Sequence, residues 1–146
     1  MTEDRALAAL YEERVRNWAR RVRDDVRLVP ADLSVTRTSP LCGSMLTLDV
    51  RSENGRVVAL GHRARACTLG MASTAIVVAA AVGARFAEIV EVGEALAALL
   101  AGTDARFPPA WRELDIFVAA RAFPSRRGSI LLPFEALAEA AAQLTR

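Results

Sequence analysis

The 146-residue sequence contains no lysine, so all nineteen of its basic residues are arginine. This absence excludes lysine Schiff-base chemistry and the phosphate-binding lysine of P-loop proteins. The chain also has a single histidine, His62, and only two cysteines, Cys42 and Cys67. No Ser-His-Asp set, glycine-rich phosphate loop or paired-carboxylate site is apparent. The two thiols are therefore the main candidates for chemistry.

Length and composition predict one globular domain that spans residues 1–146. Hydrophobic residues make up 53% of the chain and charged residues 25%, which is enough apolar material to bury a core. We find no linker, internal repeat or low-complexity segment. The formal net charge is only +2, and acids are interleaved with the arginines. This balance is weak support for nucleic-acid binding, so no nucleic-acid partner is expected.

One uncharged stretch, Ala66 to Gly83, resembles a membrane span in length. It consists mostly of small residues and is bounded by arginines, so a buried core helix is the better interpretation and no membrane partner is expected. No signal peptide is visible at the start of the sequence. Two cysteines without a signal sequence indicate a reducing compartment, and the cytoplasm is the predicted location.

Local patterns predict an α+β fold: an N-terminal helix, a small antiparallel sheet of about three strands, and several further helices. An Asn-Gly turn at residues 54–55 lies between two extended runs and predicts a β-hairpin. The predicted elements are a helix over residues 3–27 stopped by Pro30, strands over 45–50 and 56–60, helices over 67–82, 88–100 and 111–120, a turn at 123–126, and a terminal helix from Pro133 to Leu144.

Four sequence segments resemble the U-type iron–sulfur scaffold family, which includes SufU, IscU and the N-terminal domain of NifU. Ser39–Ser44 (SPLCGS) is similar to the family's Asn-Pro-x-Cys-Gly-Asp loop, and Cys67–Ala75 is similar to the helix opened by its second cysteine. Phe123–Ser129 (FPSRRGS) aligns with Phe-Pro-x-Arg-x-x-Cys, and Leu99–Asp115 resembles the insertion that distinguishes SufU. The resemblance covers most of the chain.

The resemblance implies a set of site residues. Cys42 and Cys67 match two thiolate ligands of the family, whereas Ser44 stands at its aspartate position and Ser129 at its third cysteine. Family members bind zinc or assemble a two-iron cluster with that Cys-Asp-Cys-Cys set, and accept persulfide sulfur from a cysteine desulfurase. The implied partners are a SufS-like desulfurase and iron–sulfur client or carrier proteins.

Two of the four implied metal ligands are thus serines, which weakens the case for a metal. Zinc and iron–sulfur sites use deprotonated soft ligands, and a complete zinc site contributes about 10–16 kcal/mol in small peptides. A serine hydroxyl is neutral at pH 7 and binds metal weakly. His62 could substitute, but a packed structural histidine is the favoured interpretation. The implied cofactor is therefore zinc, an iron–sulfur cluster, or none.

Cys67 is predicted to begin a helix, where the helix dipole stabilises a thiolate. Four arginines are expected to add positive potential: Arg63 and Arg65 just before Cys67, and Arg126 and Arg127 in the Phe123–Ser129 segment. Alternatively, Cys67 is a small buried hydrophobe kept for packing. A disulfide to Cys42 would close a loop of about 26 residues, worth about 3.5 kcal/mol, although a reducing compartment opposes it.

Three functions remain open at this point. The first is an iron–sulfur assembly scaffold or sulfur acceptor that acts through Cys42 and Cys67 with weakened or lost metal binding. The second is a non-catalytic adaptor that keeps the family's docking surface without metal. The third is a two-cysteine thiol redox protein. A scaffold or sulfur relay is favoured over an enzyme with its own turnover.

Overall fold

The computed structural model describes residues 3–41 and 43–145. It confirms the predicted α+β class and the three-stranded antiparallel sheet, whose strand order is β1-β2-β3. The elements are α1 (Glu3–Arg20), β1 (Leu33–Thr38), β2 (Met45–Glu53), β3 (Arg56–Arg65), α2 (Thr68–Ala81), α3 (Phe86–Leu100), a 3₁₀ segment (Pro109–Ala122), a short 3₁₀ turn (Pro124–Arg126) and α4 (Arg127–Leu144).

The hairpin between β2 and β3 is the most local feature of the sheet. Asn54 and Gly55 both have positive φ, 51° and 76°, as a type I′ turn requires. The resulting register pairs Leu48 with His62 across the hairpin and Val35 of β1 with Leu48 on the other side. The position of β1 was not predicted from the sequence, although its central Val35 is buried.

Helix α2 forms the buried centre of the helical layer. Most of its residues are buried, and it contacts both α1 and α4. The Ser73 hydroxyl donates to the Ile130 carbonyl at 2.5 Å, and the Thr74 hydroxyl donates to the Gly70 carbonyl at 2.9 Å. The small residues of this helix therefore permit close packing, as predicted. Across the two described ranges, no helix has the length and apolar character needed to cross a membrane.

The predicted N-terminal helix was too long, because α1 ends at Arg20 rather than near residue 27. After a tight turn, Val26 forms an isolated β-bridge with His62. The Val26 N–H donates to the His62 carbonyl at 3.1 Å, and the His62 N–H donates to the Val26 carbonyl at 2.7 Å. These long-range bonds use the backbone N–H and carbonyl groups that a continued helix would need. The helix therefore ends well before Pro30, which was predicted to stop it.

The predicted start of the terminal helix was also wrong. Helix α4 begins at Arg127, so Pro133 is its seventh residue rather than an early one. A proline there removes the bond to the Ser129 carbonyl. Burial of Ile130 and Leu132, which precede Pro133 in the helix, offsets that loss, since apolar burial stabilises each by about 1.5–3 kcal/mol. Consequently Ser129 lies in the first turn of a helix.

The helix predicted at 111–120 is instead part of the 3₁₀ segment.

Candidate thiol and metal site

The loop before β2 carries two of the predicted ligand positions. Cys42 lies outside the described residues, but its neighbours form a closed loop. The Ser39 N–H donates to the Ser44 carbonyl at 2.8 Å, and the Gly43 N–H donates to the Ser39 carbonyl at 2.9 Å. Gly43 has φ +68°, a conformation that favours glycine. This loop holds Ser44 in a buried position, with 2% of its surface exposed.

Three of the four predicted ligand positions meet in one cluster. Cys67 is the N-cap residue of α2, and its Sγ lies 3.4 Å from the Ser129 Oγ in α4. The Ser129 Oγ lies 3.0 Å from the Ser44 Oγ, in a buried hydrogen bond. We call Cys67, Ser129 and Ser44 the hydroxyl–thiol cluster. Its thiol donates to the first hydroxyl, and that hydroxyl donates to the second.

Two glycines leave space at the site, Gly70 beside Ser129 of the cluster and Gly128 beside Ser39 of the neighbouring loop. A Cβ added to Gly70 would lie 2.1 Å from the Ser129 Oγ and 3.1 Å from the Ala66 Cβ. A Cβ added to Gly128 would lie 2.9 Å from the Ser39 Oγ. The sequence analysis did not assign either glycine to the site. The available signal was a glycine inside a helical pattern. Glycine destabilises a helix interior, so its presence there often indicates close packing against another residue.

Cys67 is a half-buried free thiol. Its carbonyl accepts the first helical bond, from the Met71 N–H at 2.9 Å. Its side chain forms no capping hydrogen bond with the amides of α2, and its thiol is bonded to Ser129 instead. The Cys67 side chain is therefore held by its bond to Ser129 rather than by a capping bond.

The arginines expected near the thiol are partly neutralised. Arg65 forms an ion pair with Asp25 at 2.9 Å, and Arg63 approaches the same carboxylate at 3.6 Å. The hydrogen bond from Arg65 holds the pKa of Asp25 below its ordinary value. Arg126 is exposed, and the Nε atom of Arg127 is buried without a hydrogen-bond partner among the described residues. Less positive potential remains than the sequence suggested.

His62 is packed into the fold, in agreement with its interpretation as a structural histidine. Only 4% of its surface is exposed, and its Nδ1 atom has no partner within the described part of the chain. Burial lowers the pKa of its imidazole, because the charged form loses hydration. No described group of three histidine, cysteine, aspartate or glutamate side chains, with or without His62, could hold a metal ion.

The donors of this site do not fit zinc or an iron–sulfur cluster. The hydroxyl–thiol cluster offers one sulfur and two neutral hydroxyl oxygens, whereas both metals require anionic soft ligands. Even with Cys42, the sequence supplies at most two thiolates. The Ser129 hydroxyl is already engaged, because it donates to the Ser44 hydroxyl. The side chains converge as the ligands of a metal site would, but they do not supply the negative charge that such ligands carry.

Comparisons with known structures show what this chain is similar to. A NifU-like protein from Brucella abortus (N-terminal part), described as nitrogen-fixing, is 27% identical with a TM-score of 0.86; the match covers 92% of this chain and 94% of that one. A candidate iron–sulfur cluster assembly scaffold protein for the SUF system, from Fervidobacterium islandicum, is 18% identical with a TM-score of 0.77, over 86% of this chain and 91% of that one. No family model matches the sequence, and no curated protein matches it significantly. These likenesses confirm the resemblance to U-type scaffolds.

Proposed function

We propose that this member of the U-type scaffold family accepts sulfur from a cysteine desulfurase during iron–sulfur cluster assembly, without holding a metal at the family's ligand positions. The observation that carries the proposal is the convergence of Cys67, Ser129 and Ser44, with contacts of 3.4 and 3.0 Å. This convergence supports the proposal, because the family resemblance assigns these three residues to ligand positions. Their chemistry leaves thiols as the groups able to react.

Weak metal binding follows from the charge of these groups. A tetrahedral zinc site contributes its large folding energy through deprotonated ligands, and serine oxygens stay protonated at pH 7. Ser44 and Ser129 are also both buried, so a cation bound there would lose hydration with at most two thiolates to compensate. We therefore expect zinc and iron to bind this site far more weakly than they would bind a complete Cys-Asp-Cys-Cys set.

Cys42 is the proposed first acceptor. Its two neighbours in the sequence, Leu41 and Gly43, are both exposed, Leu41 by 78%, which supports access by a partner. The Cys42 thiolate attacks the terminal sulfur of the desulfurase's cysteine persulfide. A new S–S bond forms on Cys42, the donor's S–S bond breaks, and the donor cysteine leaves as a thiolate. No net oxidation occurs.

Cys67 is the proposed second thiol. If its sulfur attacks the terminal sulfur of the Cys42 persulfide, the persulfide moves to Cys67. If it attacks the inner sulfur, a Cys42–Cys67 disulfide forms and hydrosulfide leaves with the proton of the thiol. The Cys67 thiol donates to the Ser129 hydroxyl at 3.4 Å, and that hydroxyl donates its own proton to Ser44. The second of these steps, which forms a disulfide, corresponds to the two-cysteine redox function considered above.

The adaptor function remains a second candidate, favoured by one observation. The Cys67 thiol and the Ser129 hydroxyl each have an acceptor within the cluster, so neither a metal nor a reaction is needed to satisfy these two donors. An adaptor would bind the desulfurase or an iron–sulfur client through the retained fold and carry no sulfur. The desulfurase, the clients and the cytoplasmic location are all part of this proposal.

Intact-protein mass spectrometry separates the two candidates. The protein is incubated with a SufS-type desulfurase and cysteine, and an acceptor gains about 32 Da for each sulfane sulfur, which a reductant removes. Cys42→Ser should abolish loading, whereas Cys67→Ser should leave the first loading intact. The double variant controls for sulfur bound elsewhere. If the wild type binds the desulfurase but gains no mass, the acceptor function is wrong and the adaptor function replaces it.

A further inference from the structure

A two-part groove lies between α1 and α2, beside the residues that flank Cys67. One cavity, of about 300 Å³, is lined by Arg16, Arg20, Arg23, Ala66, Thr68 and Met71. A second cavity, of about 510 Å³, extends from it toward Phe123 and the 3₁₀ segment. Arg16 and Thr68 line both cavities, so the two form one continuous surface. We call this surface the α1–α2 groove.

The first part of the groove is positively charged. Arg20 and Arg23 are exposed, and neither forms an ion pair within the described residues. Arg20 donates instead to the amide oxygen of Asn17 at 2.7 Å. Arg16 is paired with Glu12 at 3.1 Å on the exposed surface. Two guanidinium groups are therefore available for carboxylates of a partner, which they can bind in bidentate geometry.

The second part of the groove is apolar. Val15, Ile116 and Ala120 form buried walls, and Phe123 at the rim is 57% exposed. A cleft of this volume is large enough for a bulky side chain, since clefts of about 300–1,000 Å³ hold drug-sized ligands. An exposed aromatic ring beside an apolar cleft is typical of an anchor site in protein recognition. Covering Phe123 would remove its apolar surface from water.

We propose that the α1–α2 groove binds a segment of the sulfur-donor protein that carries acidic residues next to a large apolar side chain. The carboxylates would pair with Arg20 and Arg23, and the apolar side chain would enter the cleft beside Phe123. This inference rests on the proposed sulfur-acceptor function for the identity of the partner. The groove borders Ala66 and Thr68, the neighbours of Cys67, so the bound segment anchors the donor beside the thiol site.

The distribution of charge along the α1–α2 groove favours a protein segment over a nucleic acid as its ligand. Glu12 lines the apolar cavity, and it would repel a continuous polyanion that followed the groove past Arg16. A peptide can place its acids only at the arginine end. Electrostatic attraction at that end would raise the association rate and make it sensitive to salt, while the apolar anchor would slow dissociation.

A synthetic peptide tests the groove independently of any desulfurase. The probe has four glutamates followed by a tryptophan–leucine pair, so its acids lie at one end only, and NMR follows amide shifts of the ¹⁵N-labelled protein. We expect saturable shifts centred on Arg16, Thr68, Leu69 and Ala119. Replacing tryptophan and leucine by serine, or the glutamates by lysine, should weaken binding at least about tenfold. Equal binding of the serine peptide, stronger binding of an oligothymidylate, or no shifts up to millimolar peptide would overturn the proposal.

Two variants with matched controls then test the groove with the desulfurase. Arg20→Glu with Arg23→Glu should slow association, and Ala119→Trp, at an exposed wall position, should weaken binding at least about tenfold by filling the cleft. The controls are Arg106→Glu with Arg112→Glu for charge, and Ala142→Trp for bulk. Neither control alters a residue lining the groove.

The result distinguishes the groove from the acceptor function. If both groove variants bind the desulfurase and load sulfur as the wild type does, the groove proposal is wrong while the acceptor function stands. If the groove variants lose binding but the wild type gains no sulfur when bound, the groove proposal holds and the acceptor function is wrong. Thermal unfolding of each variant verifies that the fold is intact.

Discussion

Strand β2 connects two buried polar clusters that differ in charge. Asp49, in the middle of the strand, accepts two bonds from Arg27 at 2.8 Å each, one from the Leu28 N–H at 3.0 Å and one from the Ser34 hydroxyl at 2.6 Å. Ser44, just before the strand, belongs to the hydroxyl–thiol cluster, which has no charged member. Both Asp49 and Ser44 are nearly inaccessible to water.

The difference separates a structural cluster from a candidate reaction site. Asp49 is a buried anion with four donors, and it fixes the segment around Arg27 against the sheet. The hydroxyl–thiol cluster is neutral and linked by single hydrogen bonds, so it holds its elements together weakly. We therefore expect substitutions at Asp49 to affect folding strongly, and substitutions at Ser129 to affect it little while changing the chemistry.

The largest stability effect should come from Asp49→Ala. It leaves Leu28 and Ser34 without an acceptor and removes the partner of Arg27. Breaking a buried pair costs about 3–5 kcal/mol, and the lower end applies here because the Arg27 side chain is 42% exposed. Chemical denaturation measures the effect. Asp104→Ala, at a fully exposed position, is the control and should change stability by less than about 0.5 kcal/mol. A loss of similar size in both variants would contradict the structural role of Asp49.

The same cluster predicts how stability depends on pH. The hydrogen bond from Arg27, followed by that from Ser34, holds the pKa of Asp49 well below its ordinary value. In the unfolded chain this carboxyl has a pKa of about 3.9. The unfolded state therefore binds more protons in acid, so the stability contributed by Asp49 is full above that value and declines as pH falls toward the lowered folded pKa.

Asp49→Asn should flatten this decline, because it removes the titrating group. The measurement is the free energy of unfolding between about pH 2 and pH 7, with Asp104→Asn as the matched control. Equal acid slopes for the wild type and Asp49→Asn would show that other carboxyls dominate acid unfolding.

A smaller effect is expected at Gly70, with a specific rescue. Gly70→Ala should destabilise the fold by about 1–2 kcal/mol, because its Cβ would clash with the Ser129 Oγ. Ser129→Ala removes that atom and leaves the Ser129 Cβ at 3.3 Å, so the two substitutions together should cost less than their sum. Denaturation of the four proteins in this double-mutant cycle measures the coupling. Strict additivity would contradict the close packing of Gly70 on Ser129.

Local signals in the sequence were sufficient to predict the β2–β3 hairpin and helix α2. The Asn54-Gly55 turn predicts its hairpin because few residues adopt positive φ, and the glycine at 83 ends the region of α2 as expected. Long-range contacts account for the errors. The pairing of Val26 with His62 shortens α1, and tertiary packing of Ile130 and its neighbours starts α4 before Pro133.

The candidate site was predicted by motif resemblance rather than by periodicity. Residues 44, 67 and 129 are far apart in sequence, and no local pattern indicates that they meet. The structure brings these three positions together, while Cys42 lies outside its described residues and stays a prediction. The Arg27–Asp49 cluster and the α1–α2 groove were not predicted at all, because each depends on contacts between distant segments.

The most direct test of the account is the zinc affinity of the wild type and of the variant Ser44→Asp with Ser129→Cys. Competition with a chelating dye measures both. The account predicts that dialysis against a strong chelator leaves the wild type without zinc, whereas the variant binds one equivalent at least about 100-fold more tightly, because two anionic ligands are restored. Stoichiometric zinc that survives the chelator in the wild type, or no gain in the variant, would contradict the claim that this site keeps the family's geometry without its ligands.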